Sequence, residues 1–521
     1  MSRPLRWIGL VAGALFLGSA AWLGALERQL PPRAELVLSG GIPATLYLPG
    51  SEPGLEAFLD APPRGERPPA VVLMHGFASD RLGMSVLARR LALAGYAVLA
   101  FDASGHGSNR NPFQRSRARP DSFYSDYAAA VDQLRADPRV DGTRITVMGH
   151  SMGAGASLDF ASRDSGLDAT VLISGGWSIQ GPYRPRNALF LYASGDPERI
   201  AQRSRELVSR LAGKSAIELD RTYGDPARGT GVRIAEIAGE DHLTIIWSET
   251  AALEILRWLD GVYGREPTTE VASDARLRAS KLAAIALLLA LPALGAGVGR
   301  LAPRQDEPAP LAPLAAFGAL AIALCATMPL LAVDLPAALL SVEVGDAVVS
   351  HFGLAGIALL AAFSLRRTPS PLPSFGALRG ALPAAALAIV VIYVALIPLG
   401  AVLHRLTLTP ERFVVFALAS AGLLPFAWAF QGLLRRGAPW RAVLLSSGGR
   451  VLVLCALAAG VWLSLLSGVV LLMLPALALS FVLLELLAAG VYLASRNVAL
   501  IALIDAAWLG LVIAASMPVR L

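Results

Sequence analysis

The sequence predicts an α/β domain joined to an all-α region that threads a membrane, and three observations predict it. Between residues 33 and 262, short apolar or β-branched runs alternate with helical stretches, which implies a doubly wound, mostly parallel sheet. From Leu282 to the end the chain becomes a series of apolar runs of about 20 residues, the length that crosses a hydrocarbon core of about 30 Å. Within the first of these patterns sits one sharp local signal, Gly149-His150-Ser151-Met152-Gly153, after the β-type run Arg144 to Met148 and before the helical stretch Ala154 to Ala161.

The elements follow in order. Glu35 to Leu38 and Ala44 to Leu48, joined by Ser39-Gly40-Gly41, read as an antiparallel hairpin. A connection holding Pro62, Pro63, Pro68 and Pro69 leads to Ala70-Val71-Val72-Leu73-Met74, whose unbroken apolar character marks a strand buried on both faces. Helix 84–94, strand 96–101, helix 124–136, strand 144–148, helix 152–162, strands 169–173 and 188–193, helix 198–212, strand 233–238 and helix 247–260 complete the domain. In such sheets ligands bind at the carboxyl ends of the strands.

Those ends carry the chemistry. A serine between two glycines at a strand-to-helix turn is a nucleophile elbow: the turn is so tight that the flanking positions must lack side chains, and the hydroxyl is lifted above the strand ends. Asp196 follows the strand Ala188 to Ala193, and His242 follows the strand Arg233 to Ala238. His242 would take the Ser151 proton as general base, and Asp196 would hold its tautomer and stabilise the imidazolium. The tetrahedral oxyanion needs donors, and the backbone N–H groups of Phe77, in His75-Gly76-Phe77, and of Met152 are the natural pair. His75 and His106 read as residues that fix their loops, and His150 as packing. Glu198, Asp220 and Asp225 compete with Asp196 as acids nearby in sequence.

His75-Gly76-Phe77, Asp102 with Gly105-His106-Gly107-Ser108, Gly149 to Gly153, Gly195-Asp196 and Asp241-His242 together resemble an α/β-hydrolase of the dienelactone-hydrolase or prolyl-oligopeptidase-like type. The resemblance covers residues 34 to 262. It implies an eight-stranded fold, with Ser151, Asp196 and His242 as the triad. One position departs from it: where many relatives have glycine three residues before the acid, this chain has Ala193. Only Gly175 to Arg186 separate the sixth and seventh strands, too little for a helical cap, so an open site is expected. The loop Ser104 to Pro120, with Arg110, Arg115, Arg117 and Arg119, is either a solvated basic loop or a contact for anionic substrate or headgroups.

The second half reads as eight spans: 282–299, 311–333, 347–365, 381–402, 413–433, 451–470, 474–495 and 498–517. A further apolar run, Trp7 to Leu26, lies behind Arg3 and Arg6 as either a cleaved signal peptide or an anchor, and its length favours the anchor. The domains expected are an N-terminal anchor (1–32), a hydrolase domain (33–262), a linker (263–281) and a transmembrane domain (282–521). Nine spans starting from a cytoplasmic N-terminus place Arg300, Arg304, Arg366, Arg367, Arg379, Arg435, Arg436, Arg441, Arg450 and Arg496 inside. Only Arg405, Arg412 and Arg520, with acidic Asp334, Glu343 and Asp346, fall outside. Arg276, Arg278 and Lys281 count against this arrangement, which puts the serine domain outside the cytoplasm.

Composition bounds the rest. Hydrophobic residues make up 55% and charged ones 16%, and much of the net charge of +6 is explained by inner-loop arginines, so no nucleic-acid partner follows. The two cysteines, Cys325 and Cys455, fall in predicted spans, so the exported domain stands on its core without disulfides. No metal-ligand spacing, phosphate loop or cofactor fingerprint is present, and the expected partners are an acyl substrate and the bilayer. Glu485 and Asp505 fall within spans, where ionisable groups are costly. They either face each other in a polar cavity or pair with Arg450 or Arg496. The function expected is hydrolysis of an ester, thioester or amide outside the cytoplasm. Acyl transfer uses the same constellation, and a transporter or assembly protein with a binding-only domain is the reading from another class.

Overall fold

The computed structural model describes residues 3–28, 33–49, 67–114, 122–175, 179, 181–332, 340–365 and 374–520. Pro62, Pro63, Arg115, Arg117, Arg119, Asp334, Arg366, Arg367 and part of the Gly175–Arg186 connection lie outside them. Two compact units divide the chain: Leu23–Arg278 with Gly400–Arg405, and Met1–Trp22 with Ala279–Leu399 and Leu406–Leu521.

The first unit is built on a nine-stranded sheet of order β1-β2-β4-β3-β5-β6-β7-β9-β8. β1 (Arg33–Leu38) and β2 (Ile42–Tyr47) form the expected antiparallel hairpin across a 3-10 turn at Ser39–Gly41. β3 (Pro69–Met74), β4 (Ala97–Phe101), β5 (Asp141–His150), β6 (Ala169–Ile173), β7 (Ala188–Ala193) and β9 (Val232–Ile237) run parallel. The ninth strand is the short edge β8 (Thr222–Tyr223), antiparallel to β9 and one more than the family resemblance implied. Two residues are too few to leave a periodic signature in sequence.

Apolar side chains alternate between the two faces of each inner strand. Val71 and Leu73 of β3 pack with α2 (Ser85–Leu93) and α6 (Glu249–Tyr263). Ala70, Val72 and Met74 pack with α3 (Ser122–Ala136) on the opposite face. The period of two thus puts core on both sides of one sheet, which is why β3 reads as an unbroken apolar run. α4 (Met152–Ala161) follows β5 and α5 (Glu198–Ala212) follows β7. α6 begins later than the apolar pattern suggested, because a 3-10 turn at Thr244–Trp247 comes first and Ser248 Oγ then caps the helix by accepting from Ala251 N–H.

The remaining helices are α1 (Arg3–Glu27), α7 (Ala275–Gly299), α8 (Pro313–Thr327), α9 (Gly345–Ser364), α10 (Phe375–Leu403), α11 (Pro410–Leu434), α12 (Pro439–Trp462), α13 (Val469–Ser495) and α14 (Val498–Ser516). Among the described residues, all but α8 are long and apolar enough to cross a membrane. The expected span 311–333 is α8 followed by a 3-10 turn at Met328–Ala332. The expected break between 470 and 474 lies earlier, at Leu463–Gly468, where Ser464 turns the chain at φ 60°. Pro475 lies inside α13, near its start.

Arg450, counted above as an inner-loop residue, lies within α12, and its burial has a reason. Its Nη2 donates to Asp505 Oδ2 at 2.9 Å and its Nε to Glu485 Oε2 at 3.3 Å. Arg435 Nη2 donates to both Glu485 oxygens at 2.7 and 2.6 Å and its Nε to Gln431 Oε1 at 2.8 Å. Gln431 Nε2 closes the ring on Asp505 Oδ2 at 2.7 Å. Two cations thus neutralise two carboxylates across α11 to α14, the condition under which charges tolerate burial. Of the two partners considered above, Arg450 is the one found; Arg496 lies 3.3 Å from Glu307 instead.

Candidate active site

Five parallel strands end at one place, and each delivers a residue there. β5 ends at His150, and Ser151 turns the chain into α4 with φ 53° and ψ −111°. A non-glycine residue holds such a conformation only where its surroundings over-determine it. Here the glycines do so: a Cβ on Gly149 would stand 2.2 Å from the Gly153 carbonyl carbon, and one on Gly153 2.6 Å from Met74 O. The elbow therefore packs directly on the end of β3.

His242, in the loop after β9, places Nε2 2.9 Å from Ser151 Oγ and Nδ1 2.6 Å from Asp196 Oδ1. Asp196 Oδ2 accepts from Ser174 Oγ at 2.6 Å and from Ala193 N–H at 2.8 Å. Burial alone would raise the Asp196 pKa; the hydrogen bonds from His242, Ser174 and Ala193 outweigh it and hold the carboxyl below its ordinary value. The Ala193 departure is harmless for this contact, since a backbone N–H is the same in alanine as in glycine. Of the competing acids, Glu198 is exposed and faces Arg205, Asp225 caps a 3-10 turn, and Asp220 faces Arg233.

Ser174 was missed in sequence. It directly follows β6 with φ 51°, and in a doubly wound sheet that position borders the site; its place in the strand order was the only signal.

The histidines divide by role. His75, fully buried, donates from Nδ1 to Gly76 O at 2.7 Å and accepts from Ala103 N–H at Nε2 at 3.1 Å, and burial lowers its pKa. It is a neutral brace for its loop. His106 is buried among His75, Phe77, Phe113 and Phe123. His150 does more than pack: its Nε2 donates to the His242 carbonyl at 2.7 Å, with the two rings 5.0 Å apart. Asp102 is buried and ion-paired with Arg81. Phe77 follows β3, and a Cβ on Gly76 would stand 3.3 Å from Ser151 Cβ, so the two turns touch. Among the described residues, neither Phe77 N–H nor Met152 N–H donates to a main-chain carbonyl. No group of three or more His, Cys, Asp or Glu among them is placed to hold a metal.

Burial, aided by the nearby His242, pushes the His150 pKa down to about 3, below the ordinary value of about 6.5. The unfolded chain therefore binds this proton first, and stability present above about pH 6.5 drains away as pH falls toward 3. At pH 5 the loss from this group is about 2 kcal/mol. Thermal unfolding of the full-length protein in detergent should fall between pH 7 and 5. His150→Gln, which keeps a donor near Nε2 but does not titrate, should flatten that dependence; an unaltered pH dependence would rule the assignment out.

Comparison with known proteins adds similarities to the first half of the chain. Residues 65–234 match the profile of Hydrolase_4, described as serine aminopeptidase, S33. Cutinase est1 of Thermobifida alba is 28% identical over 138 residues, covering 25% of this chain and 43% of that protein. A bis(hydroxyethyl) terephthalate hydrolase of Streptomyces coelicolor is 29% identical over 136 residues, covering 25% and 40%. The chain thus spans about two-fifths of the length of these curated relatives. A solved structure of a putative dienelactone hydrolase from Klebsiella pneumoniae aligns with TM-score 0.31 and 18% identity, over 44% of this chain and 98% of that one. By its strand order, its elbow and its sequence match, the first half of this chain is an α/β-hydrolase domain.

Proposed function

We propose that this protein is a membrane-integral serine hydrolase that cleaves acyl esters, or thioesters and amides of the same reactivity, outside the cytoplasm. The observation that carries the reading is the continuous path from Ser151 Oγ to His242 at 2.9 Å and from His242 to Asp196 at 2.6 Å. With Asp196 accepting at Nδ1, His242 presents a bare Nε2 to the serine hydroxyl. Ser151 Oγ attacks the acyl carbon as its proton passes to His242, and the carbonyl oxygen becomes an oxyanion held by Phe77 and Met152 N–H. His242 returns the proton to the leaving alcohol. Water then repeats the sequence on the acyl-enzyme and frees the acid. The esterase names of the relatives favour esters within this class.

The membrane side rests on parity. With Arg3 and Arg6 inside, α1 carries the chain out, and α7, α8, α9 and α10 carry it in, out, in and out again. Gly400–Arg405 then lies on the side of the hydrolase domain, with which it forms one compact unit. Without a crossing at α8 it would lie on the other side. α8 and the 3-10 turn after it rise about 32 Å, enough for a core of about 30 Å.

Membranes holding the full-length protein should label with a fluorophosphonate, which bonds stably only to an activated serine, and the label should vanish in Ser151→Ala. No labelling of folded wild type would sink the enzyme reading.

A further inference from the structure

The turn that carries Phe77 is held from two sides. It runs from His75 at the end of β3 to Met84 before α2, and Ala78 sits in it at φ 58°, the left-handed region that a residue with a side chain occupies only under constraint. Ser79 N–H reaches back to Gly76 O at 3.3 Å. Arg81 ties the turn to the sheet: its N–H donates to Asp102 Oδ1 at 2.9 Å, and its guanidinium meets Asp102, Glu35 and Thr45.

Asp80, one residue earlier, ties it to a segment distant in sequence. Its side chain is fully buried. Oδ1 is spent locally, accepting from Leu82 N–H at 2.8 Å and Gly83 N–H at 3.3 Å. Oδ2 accepts from Arg405 N–H at 2.5 Å and from His404 Nδ1 at 3.0 Å. A Cβ on Gly83 would stand 3.2 Å from Leu403 O, so the segment lies directly against the turn. These residues follow the end of α10 in sequence yet belong to the hydrolase unit.

A buried carboxylate without partners is costly, and among the described residues the partners beyond its own turn come from residues 404 and 405. Burial would raise the Asp80 pKa; the His404 charge and hydrogen bond and the Arg405 N–H outweigh it and keep the group ionised.

We propose that His404 is a positioning residue for the oxyanion turn: through Asp80 it holds Phe77–Gly83, and so the Phe77 N–H, in the orientation that receives the oxyanion of an acyl ester. It acts through Asp80. The inference rests on the serine-hydrolase reading above and adds a residue from the α10–α11 connection to that site.

The test is the time course of fluorophosphonate labelling in the full-length protein in detergent, comparing wild type, His404→Ala and His404→Asn. Removing an oxyanion donor costs about 10²–10³ in rate, so misplacing one should lower the labelling rate constant of His404→Ala by about 10–100-fold. The final labelled fraction should not change, because folding sets the amplitude and geometry sets the rate. His404→Asn, whose Nδ2 stands near the place of Nδ1, should recover most of the rate. In an Asp80→Asn background, His404→Ala should cost nothing further. An unchanged rate constant in His404→Ala overturns the proposal, as does a reduced labelled fraction at the wild-type rate. So does an equal loss in the Asn variant, or an undiminished loss in the Asp80→Asn background. Wild type that does not label at all removes the hydrolase reading itself and this inference with it, an outcome distinct from the others.

Discussion

Alanine at Ser151 or at His242 is expected to lower kcat for ester hydrolysis by about 10⁶, and the double variant to lose no more than either single one. The two side chains form one device: the hydroxyl is a weak nucleophile without a base 2.9 Å away, and the base has no proton to take without the hydroxyl. What survives in each variant is catalysis by the oxyanion donors and substrate binding, about 10³–10⁴ above water. The measurement is steady-state turnover of a chromogenic acyl ester by purified full-length protein. Losses that add, or a His242→Ala variant within tenfold of wild type, would mean that another base serves Ser151.

Asp196→Asn should cost about 10⁴ in kcat with little change in fold. Two donors, Ser174 Oγ and Ala193 N–H, point at Oδ2 and select an oxygen there. The amide introduced by the substitution must then turn its NH₂ group toward His242 Nδ1. That donor forces Nδ1 to accept, which moves the imidazole proton to Nε2, where it faces Ser151 Oγ and leaves no base. The same two donors thus make the substitution severe as well as isosteric. Turnover measured against thermal unfolding separates the two effects: activity should fall by about four orders of magnitude while the unfolding temperature moves little. Retained activity would assign the acid to another residue.

How much of this was legible in sequence depended on the range of the interaction. The elbow was legible because Gly149, Ser151 and Gly153 lie within five residues, and the contacts that demand glycine there are largely local. β3 was legible because burial on both faces leaves an unbroken apolar run, and β5 because its β-branched run leads directly into the elbow. The break between α12 and α13 was misplaced because the apolar run continues across it, and Ser464, which makes the turn, leaves no periodic signature. Ser174 carried no local signature; only the strand order brings it to Asp196.

The class of each half and the turns on which Ser151, Asp196 and His242 stand were legible in the chain itself. Each follows from periodicity or from steric demands between near neighbours in the chain. Packing set which donors fix the Asp196 rotamer, that His150 braces His242, and that Arg435 and Arg450 share Glu485 while Arg450 and Gln431 hold Asp505. The same holds for Asp80 meeting a histidine more than 300 residues away. Partners of buried charges are chosen by which chain segments the packing brings together, and spacing along the sequence carries no record of that choice.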